Sequence, residues 1–162
     1  MVDRMEMPPD LDRLYLTTAI GPNRVRVARH VRWVAPLGGM MQRALAEDLV
    51  RLLPGRRVLM PGDPVLQKTV WMVRVVVGRF MPVAPDHVVL DVDWFVTDTA
   101  TSRVIAAGRA HVVERVPDVP IRQAAAMSRA ITHLADILAD HSSHPSREAD
   151  VGCAPQSGAA VK

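Results

Sequence analysis

The strongest periodic pattern in the chain lies just before a Pro54-Gly55 pair and predicts an amphipathic helix. Apolar residues spaced by four and three positions share one helical face, namely Leu37, Met41, Leu45, Leu49 and Leu52. The charged residues Arg43, Glu47, Asp48 and Arg51 fall mostly on the opposite side. We expect the helix to end at Pro54-Gly55, because proline cannot continue a helix and glycine accepts the left-handed turn that follows one.

Two strands are predicted ahead of this helix. Residues 14–20 are β-prone and are followed by the turn signal Gly21-Pro22-Asn23. Residues 24–34 then alternate, with Val25, Val27, Val31 and Trp33 on one side and Arg24, Arg26, His30 and Arg32 on the other. Such alternation is typical of a half-buried strand with a cationic outer face. That face is either simply solvated or a docking surface for an acidic partner or an anionic lipid.

Four further strands are predicted after the helix. Residues 57–61 form a short strand that ends at a Pro-Gly turn, and residues 70–80 are apolar on both sides, which predicts a central strand covered on both faces. Residues 88–97 and 103–115 form a hairpin around a polar loop. With the tip near Ala100, Asp91 lies opposite Arg109, and Asp93 lies opposite Ala107 with diagonal reach to Arg109.

A long helix closes the predicted domain. Asp118 is its expected N-cap and Pro120 lies in its first turn. Its buried stripe consists of Ala124, Met127, Ile131, Leu134 and Leu138, with Ile137 at the edge. The element order predicts an α+β or α/β two-layer sandwich with a mostly antiparallel sheet and both helices on one face. Residues 1–141 form one domain, and the Ser-, Pro- and His-containing residues 142–162 form a disordered tail.

Composition narrows the class of protein. With 162 residues, 49% of them hydrophobic and 23% charged, the chain is long enough for a single globular core. The formal charge of +3 is modest, and no nucleic-acid motif accompanies it, so we expect no nucleic-acid partner. Cys153 is the only cysteine, which excludes an intramolecular disulfide. The longest apolar run is too short to span a bilayer.

The search for catalytic or ligand-binding chemistry yields weak candidates. His30, His87 and His111 could approach one another on adjacent strands, but none has helical metal-ligand spacing, and we expect no metal or cofactor. Asp91 and Asp93 share a strand face, yet pairing with arginine is the simpler interpretation than acid–base catalysis. Gly38-Gly39 lacks the remaining residues of a phosphate loop. The chain is therefore expected not to be an enzyme.

Several short motifs, taken in order, resemble the PqiC/YmbA family, the auxiliary lipoproteins of ABC-type transport systems. A Leu-Asp-Arg lead-in precedes the first strand, an Arg-Trp-x-x-Pro-Leu corner follows the second, and Ala-Leu-x-x-Asp-Leu lies on the helix. The resemblance covers roughly residues 4 to 140. Its motif positions are Asp12, Arg13, Trp33, Pro36, Leu37, Leu45, Asp48 and Leu49.

The resemblance implies a role outside the cytoplasm. It implies a non-enzymatic lipoprotein at the periplasmic side of the outer membrane, which docks onto a membrane-anchored protein of the mammalian-cell-entry (MCE) type in a lipid transport system. Homo-oligomers are compatible with that role. Residues 1–7 are charged and show no signal peptide. We therefore expect the chain as given to start inside the family domain, without the leader, the lipid-bearing cysteine and the first strand, and to have a sheet edge prone to self-association.

Two other functions stay open at this stage. The first is a soluble module that binds a lipid or another apolar ligand between helix and sheet, in a cavity lined by Met40, Met41 and Met127. The second is a small-molecule enzyme that uses Asp91 or Asp93. Dense packing around the methionines would argue against the first, and stable pairing of the aspartates with arginine would argue against the second.

Overall fold

Five strands and two helices make up the described part of the chain, which comprises residues 1–64, 71–117 and 119–143 of a computed structural model. In chain order the elements are β1 (Tyr15–Gly21), β2 (Arg24–Arg32), α1 (Leu37–Leu52), β3 (Trp71–Val83), β4 (His87–Asp98), β5 (Arg103–Arg115) and α2 (Pro120–Ser143). The predicted strand at residues 57–61 is wrong. Those residues are irregular, although Leu59 is buried and its carbonyl accepts a hydrogen bond from the Val2 N–H at 2.8 Å.

The strands form one sheet in the order β2-β1-β3-β4-β5. Neighbouring strands are antiparallel except β1 and β3, which pair in parallel at Ala19 and Val83. The α+β fold with a mostly antiparallel sheet is thereby confirmed. Within the described residues, no helix combines the length and apolarity that crossing a bilayer requires.

One face of the sheet is covered and the other is open. α2 packs across β3, β4 and β5, and α1 packs against α2, so both helices contribute to one hydrophobic core. Side chains that point toward the helices are buried, as Val75, Leu90 and Trp94 show. β3 is central as predicted, but it is not covered on both faces, because Arg74 and Arg79 point to the open side and are exposed. We call these sides the helix face and the open face.

Residues 1–6 run beside the first half of β3. Val2 and Glu6 form parallel bridges with Val73 and Val76, and the Val77 N–H donates to the Glu6 carbonyl at 2.7 Å. Val2 and Met5 are buried in the core. Since β4 occupies the other side of β3 and β1 joins β3 only near Val83, this segment fills the edge of β3 that β1 leaves open.

The helices follow their predicted patterns with one change in each, at Leu52 of α1 and at Ala124 of α2, which is half-buried rather than buried. On α1, Leu37, Met41, Leu45 and Leu49 are buried as predicted, but Leu52 is 38% exposed and Leu53 packs against the core in its place. Gly55 has φ +82, as the predicted helix stop requires. The α2 stripe is buried as predicted at Met127, Ile131, Leu134 and Leu138. The predicted tail began at residue 142, but residues 142 and 143 still belong to α2. The rest of that tail and the proposed cap Asp118 lie outside the described residues.

The β4–β5 hairpin forms, but its predicted register is wrong by two residues. Asp91 lies opposite His111, and Asp93 lies opposite Arg109. The closing pair Asp98 and Arg103 shifts the turn by one position relative to the prediction, and a bulge at Ile105 shifts the rest of β5 by one more.

Candidate interaction surface

The edge strand β2 is the most exposed regular element of the sheet. Val25 and Val27, predicted to be on a buried face, are 55% and 40% exposed. The half-buried interpretation is therefore wrong. Alternation did place both valines on one side of the strand, but that side is the open face, where the helices do not reach.

The four cations predicted to share the outer face of β2 lie on two faces. Arg26 pairs with Thr18, whose side chain is buried on the helix face, whereas Arg32 pairs with Tyr15 on the open face. The cause is a bulge: the pairs Thr17–Val27 and Tyr15–Arg32 are two positions apart on β1 but five apart on β2. Arg24 and His30 are also exposed on this strand.

These residues nevertheless form a continuous basic edge, which we define as Arg24, Arg26, Arg29, His30 and Arg32. Arg29, which breaks the alternation of residues 24–34, lies in the bulge and belongs to this edge. The sequence contains no Asp or Glu between Asp12 and Glu47, so no acidic side chain from the same hairpin neutralises it. Beside it lies a surface cavity of about 390 Å³ lined by Tyr15, Val27 and Arg29.

The motif residues before and after the hairpin hold its base closed. The Asp12 carboxylate accepts a hydrogen bond from the Gly38 N–H at 2.9 Å, and the Trp33 N–H donates to the Leu14 carbonyl at 2.7 Å. Trp33 is half-buried, Pro36 immediately precedes α1, and Arg13 is exposed. Because Asp12 satisfies an N–H at the start of α1, the Gly38-Gly39 corner is occupied by an acidic side chain of the protein itself.

The α1 part of the motif is structural. Leu37, Leu45 and Leu49 are in the core. Asp48 was placed on the exposed side by its charge, but it is 6% exposed: the Thr132 hydroxyl of α2 donates to it at 2.9 Å, and Arg51 pairs with it one turn later. A buried carboxylate requires such partners, so Asp48 ties α1 to α2.

The two candidate catalytic carboxylates are both paired on the open face. Arg109 Nε lies 2.8 Å from Asp93 Oδ1, and Asp91 contacts His111 and lies 3.7 Å from Arg79 Nε. The hydrogen bond from Arg109 holds the pKa of Asp93 below its ordinary value. A general acid at neutral pH needs the opposite shift, so this environment does not favour acid catalysis by Asp93.

The histidines named as possible ligands lie on three different strands of the sheet. His30 lies on β2 and His111 on β5, which are the two opposite edges of the sheet, and His87 at the start of β4 contacts Asp86 at 3.3 Å. Across the described ranges, no group of three or more His, Cys, Asp or Glu residues is placed to hold a metal ion. Of the methionines proposed to line a lipid cavity, Met41 and Met127 are buried core residues and Met40 is half-buried.

The fold is similar to that of solved proteins of low sequence identity. A crystal structure of an uncharacterized protein has a TM-score of 0.76 at 16% identity, with 86% of this chain and 88% of that chain covered. A protein from Xanthomonas campestris has a TM-score of 0.73 at 14% identity, with 87% and 81% covered. PelC from Paraburkholderia phytofirmans, solved as a dodecamer, has a TM-score of 0.51 at 10% identity, with 85% and 81% covered.

Sequence comparison identifies the family directly. None of the curated proteins matches the chain at a significant level. A family model described as "ABC-type transport auxiliary lipoprotein component", however, matches residues 1–139, which include every strand and nearly all of α2. The motif positions described above, from Asp12 to Leu49, lie within this match. The chain therefore belongs to the ABC-type transport auxiliary lipoprotein component family.

Proposed function

We propose that this protein is a non-enzymatic docking component of an ABC/MCE lipid transport system between the two membranes of the cell envelope. The observation that carries the proposal is the family match over residues 1–139, which spans the five strands of the sheet, α1 and nearly all of α2. In this role the protein links an MCE-type protein of the inner membrane to the outer membrane. A rigid small domain with an exposed contact surface is sufficient for such a function.

The basic edge supports docking as the activity of the domain. Its arginines are exposed along the outermost strand of the sheet. Asp91 and Asp93 of β4 contact Arg79, Arg109 and His111. A cationic surface of this kind favours an acidic partner and accelerates the encounter with it. We therefore assign partner contact to Arg24, Arg26, His30 and Arg32, with Arg29 added by its position in the bulge.

Membrane attachment in this proposal comes from a lipid rather than from a helix. The family consists of lipoproteins, and an acyl-bearing terminus would anchor the domain to the outer membrane on its periplasmic side. The leader and the lipid-bearing cysteine would then be encoded upstream of Met1. Reading the genomic DNA ahead of the Met1 codon tests this point: an in-frame basic and apolar leader ending in a small-residue-Cys site supports lipidation, and an in-frame stop codon directly upstream contradicts it.

We further propose a homo-oligomer as the working form. PelC, which shares this fold, was solved as a dodecamer, and a ring of subunits around the tip of a conduit would multiply each weak contact. Analytical ultracentrifugation of the purified chain tests assembly. A strictly monomeric species over a wide concentration range would contradict this part of the proposal and leave the docking role untouched.

The docking role is tested in cells by crosslinking. A tagged copy of the protein, expressed from its own locus, is crosslinked in intact cells and recovered from separated inner and outer membranes. We expect an MCE-domain protein to be recovered with it, and the tagged chain to fractionate with the outer membrane. Recovery without any transport component, or fractionation only with soluble proteins, would overturn the proposal.

A further inference from the structure

We propose that β2 binds an acidic, extended segment of the transport partner as a sixth strand of the sheet. This inference rests on the docking function proposed above and specifies its chemistry. Within the described residues, β1 is the sole strand beside β2, so every second N–H and C=O of β2 points away from the sheet. Such an edge is a template for a chain that completes the hydrogen-bond ladder.

The regular part of β2 has two chemically different sides. Arg24 and Arg26 lie toward the helix face, and Val25 and Val27 lie toward the open face, where they are 55% and 40% exposed. In an antiparallel pair, residues directly opposite each other share a face. A segment that alternates acidic and apolar residues therefore matches this edge, with carboxylates beside the arginines and apolar side chains beside the valines.

Two features set the length and anchoring of the segment. The bulge after Val27 interrupts the strand before Arg32, so pairing extends over the short stretch from Arg24 to Val27. Next to the end of this stretch lies the 390 Å³ cavity lined by Tyr15, Val27 and Arg29. A longer apolar or acidic side chain of the bound segment fits there, because the wall offers an aromatic ring, a valine and a guanidinium group.

Charge argues against a second copy of the chain as the occupant. Pairing β2 with the β2 of another copy in antiparallel register would bring arginines against arginines, in a stretch without any acidic residue. The other sheet edge, β5, carries exposed Arg103 and Arg115 at its two ends, and Arg109 between them is already paired with Asp93. Both edges therefore resist pairing with copies of themselves, whereas a foreign acidic strand is attracted to β2.

An anionic bilayer matches the geometry less well than an extended chain. Arg26 lies toward the helix face and Arg32 toward the open face. A flat surface that contacts one face of the sheet does not contact the arginine on the other face. A strand that runs along the edge lies beside Arg24 and Arg26 and ends near Arg29 at the cavity, and it also satisfies the outward backbone groups.

The test uses the purified full chain and a short blocked peptide of alternating Glu and Val. We expect binding that weakens as salt is raised. Amide exchange measured by NMR should slow at alternate residues of β2, which is the signature of a new hydrogen-bond ladder. The control peptide has the same sequence with N-methyl groups on alternate residues, which keeps the charge and removes the donors. It should not produce this protection.

The variant Arg24→Glu/Arg26→Glu should weaken binding about tenfold or more, because attraction becomes repulsion. Arg103→Glu/Arg115→Glu applies the same change of charge to the β5 edge and should leave binding unaltered. Equal binding of the N-methylated peptide would overturn strand addition in favour of charge alone. Binding to phosphatidylglycerol vesicles without binding to the peptide would overturn it in favour of a lipid surface. If the Arg24→Glu/Arg26→Glu variant still recovers the MCE protein from cells, the proposed docking function stands and only this binding site is contradicted.

Discussion

β2 and β5 border the same sheet but are held in very different ways. β5 pairs with β4 from Arg103 to Arg115 and is covered by α2, and Glu114 binds Arg129 at 3.1 Å and His133 at 3.0 Å across the two layers. β2 pairs with β1 through a large bulge, and β1 reaches β3 near Val83. Binding regions are commonly drawn from the less stable parts of a fold. The difference indicates a rigid platform, β3 to β5 with α2, and an adaptable edge.

The largest difference in stability is expected between two glycine-to-alanine variants, one in β5 and one in β1. A Cβ at Gly108 of β5 would lie 2.6 Å from the ring of Trp94, which is 1% exposed and cannot move aside freely. Gly108→Ala should therefore lower the free energy of unfolding by about 1–3 kcal/mol. Gly21→Ala, where the nearest atom is Arg24 Cβ at 3.9 Å, should change it by less than about 0.5 kcal/mol. Urea unfolding measures both. Equal effects would remove the distinction between platform and edge.

The second-largest effect on stability is expected at Glu114, whose side chain links β5 to α2. Glu114 is 12% exposed and contacts both Arg129 and His133, so Glu114→Gln should cost about 1.5 kcal/mol by weakening these contacts, above all the charge-assisted hydrogen bond with Arg129. Arg24→Gln removes a charge from the opposite edge strand and should stay within about 0.5 kcal/mol. The same unfolding experiment compares them. A larger loss for Arg24→Gln would mean that β2 is the more tightly held edge.

The third-largest effect on stability is expected at the base of the β1–β2 hairpin. Asp12→Ala removes the acceptor of the Gly38 N–H at the start of α1, which is expected to cost about 1 kcal/mol. Amide exchange in β1 and β2 should become faster, while β4 and β5 should keep their protection. The matched control is Asp10→Ala, two residues earlier and also exposed. Uniformly faster exchange across the sheet would show that the two regions unfold as one.

The smallest effect is expected from the ion pair on the open face. Since Arg109 lowers the pKa of Asp93, the pair stabilises the fold above the ordinary carboxyl value of 3.8, and this contribution is lost as the pH falls through the lowered pKa. Asp93→Asn should be slightly less stable than the parent at neutral pH, and the two should converge in acid. Denaturation curves at successive pH values check this. A gap that widens in acid would contradict it.

Local patterns predicted the helices and most strands because burial in this fold follows periodicity closely. The buried stripe of α2 and the buried positions from Leu37 to Leu49 on α1 could be predicted from residue spacing alone. Periodicity could not reveal which face of β2 the helices cover, since that depends on a strand order fixed by distant pairings, so Val25 and Val27 were wrongly expected to be buried. Asp48 was misplaced for a similar reason: its partner Thr132 is 84 residues away.

The candidate surface was only half predictable. The arginines of β2 were evident as a charged alternation, but the bulge that distributes them over both faces leaves no sign in the sequence beyond the irregular Arg29. The bulge at Ile105 also leaves no sign in the sequence, and it is one reason why the partners of Asp91 and Asp93 were predicted wrongly. A one-residue slip moves every later side chain, so small local irregularities decide which charges meet.

Residues 1–6 are synthesised well before β3, the strand with which they pair. The Val73 N–H donates to the Met1 carbonyl at 2.8 Å, and Glu6 pairs with Val76. Residues 1–6 leave the ribosome long before β3 exists, because chains grow at about 5–20 residues per second. The segment therefore has no partner strand for several seconds, while the β1–β2 hairpin and α1 can already form from nearby contacts. A segment that is made before β1 is therefore among the last to be folded.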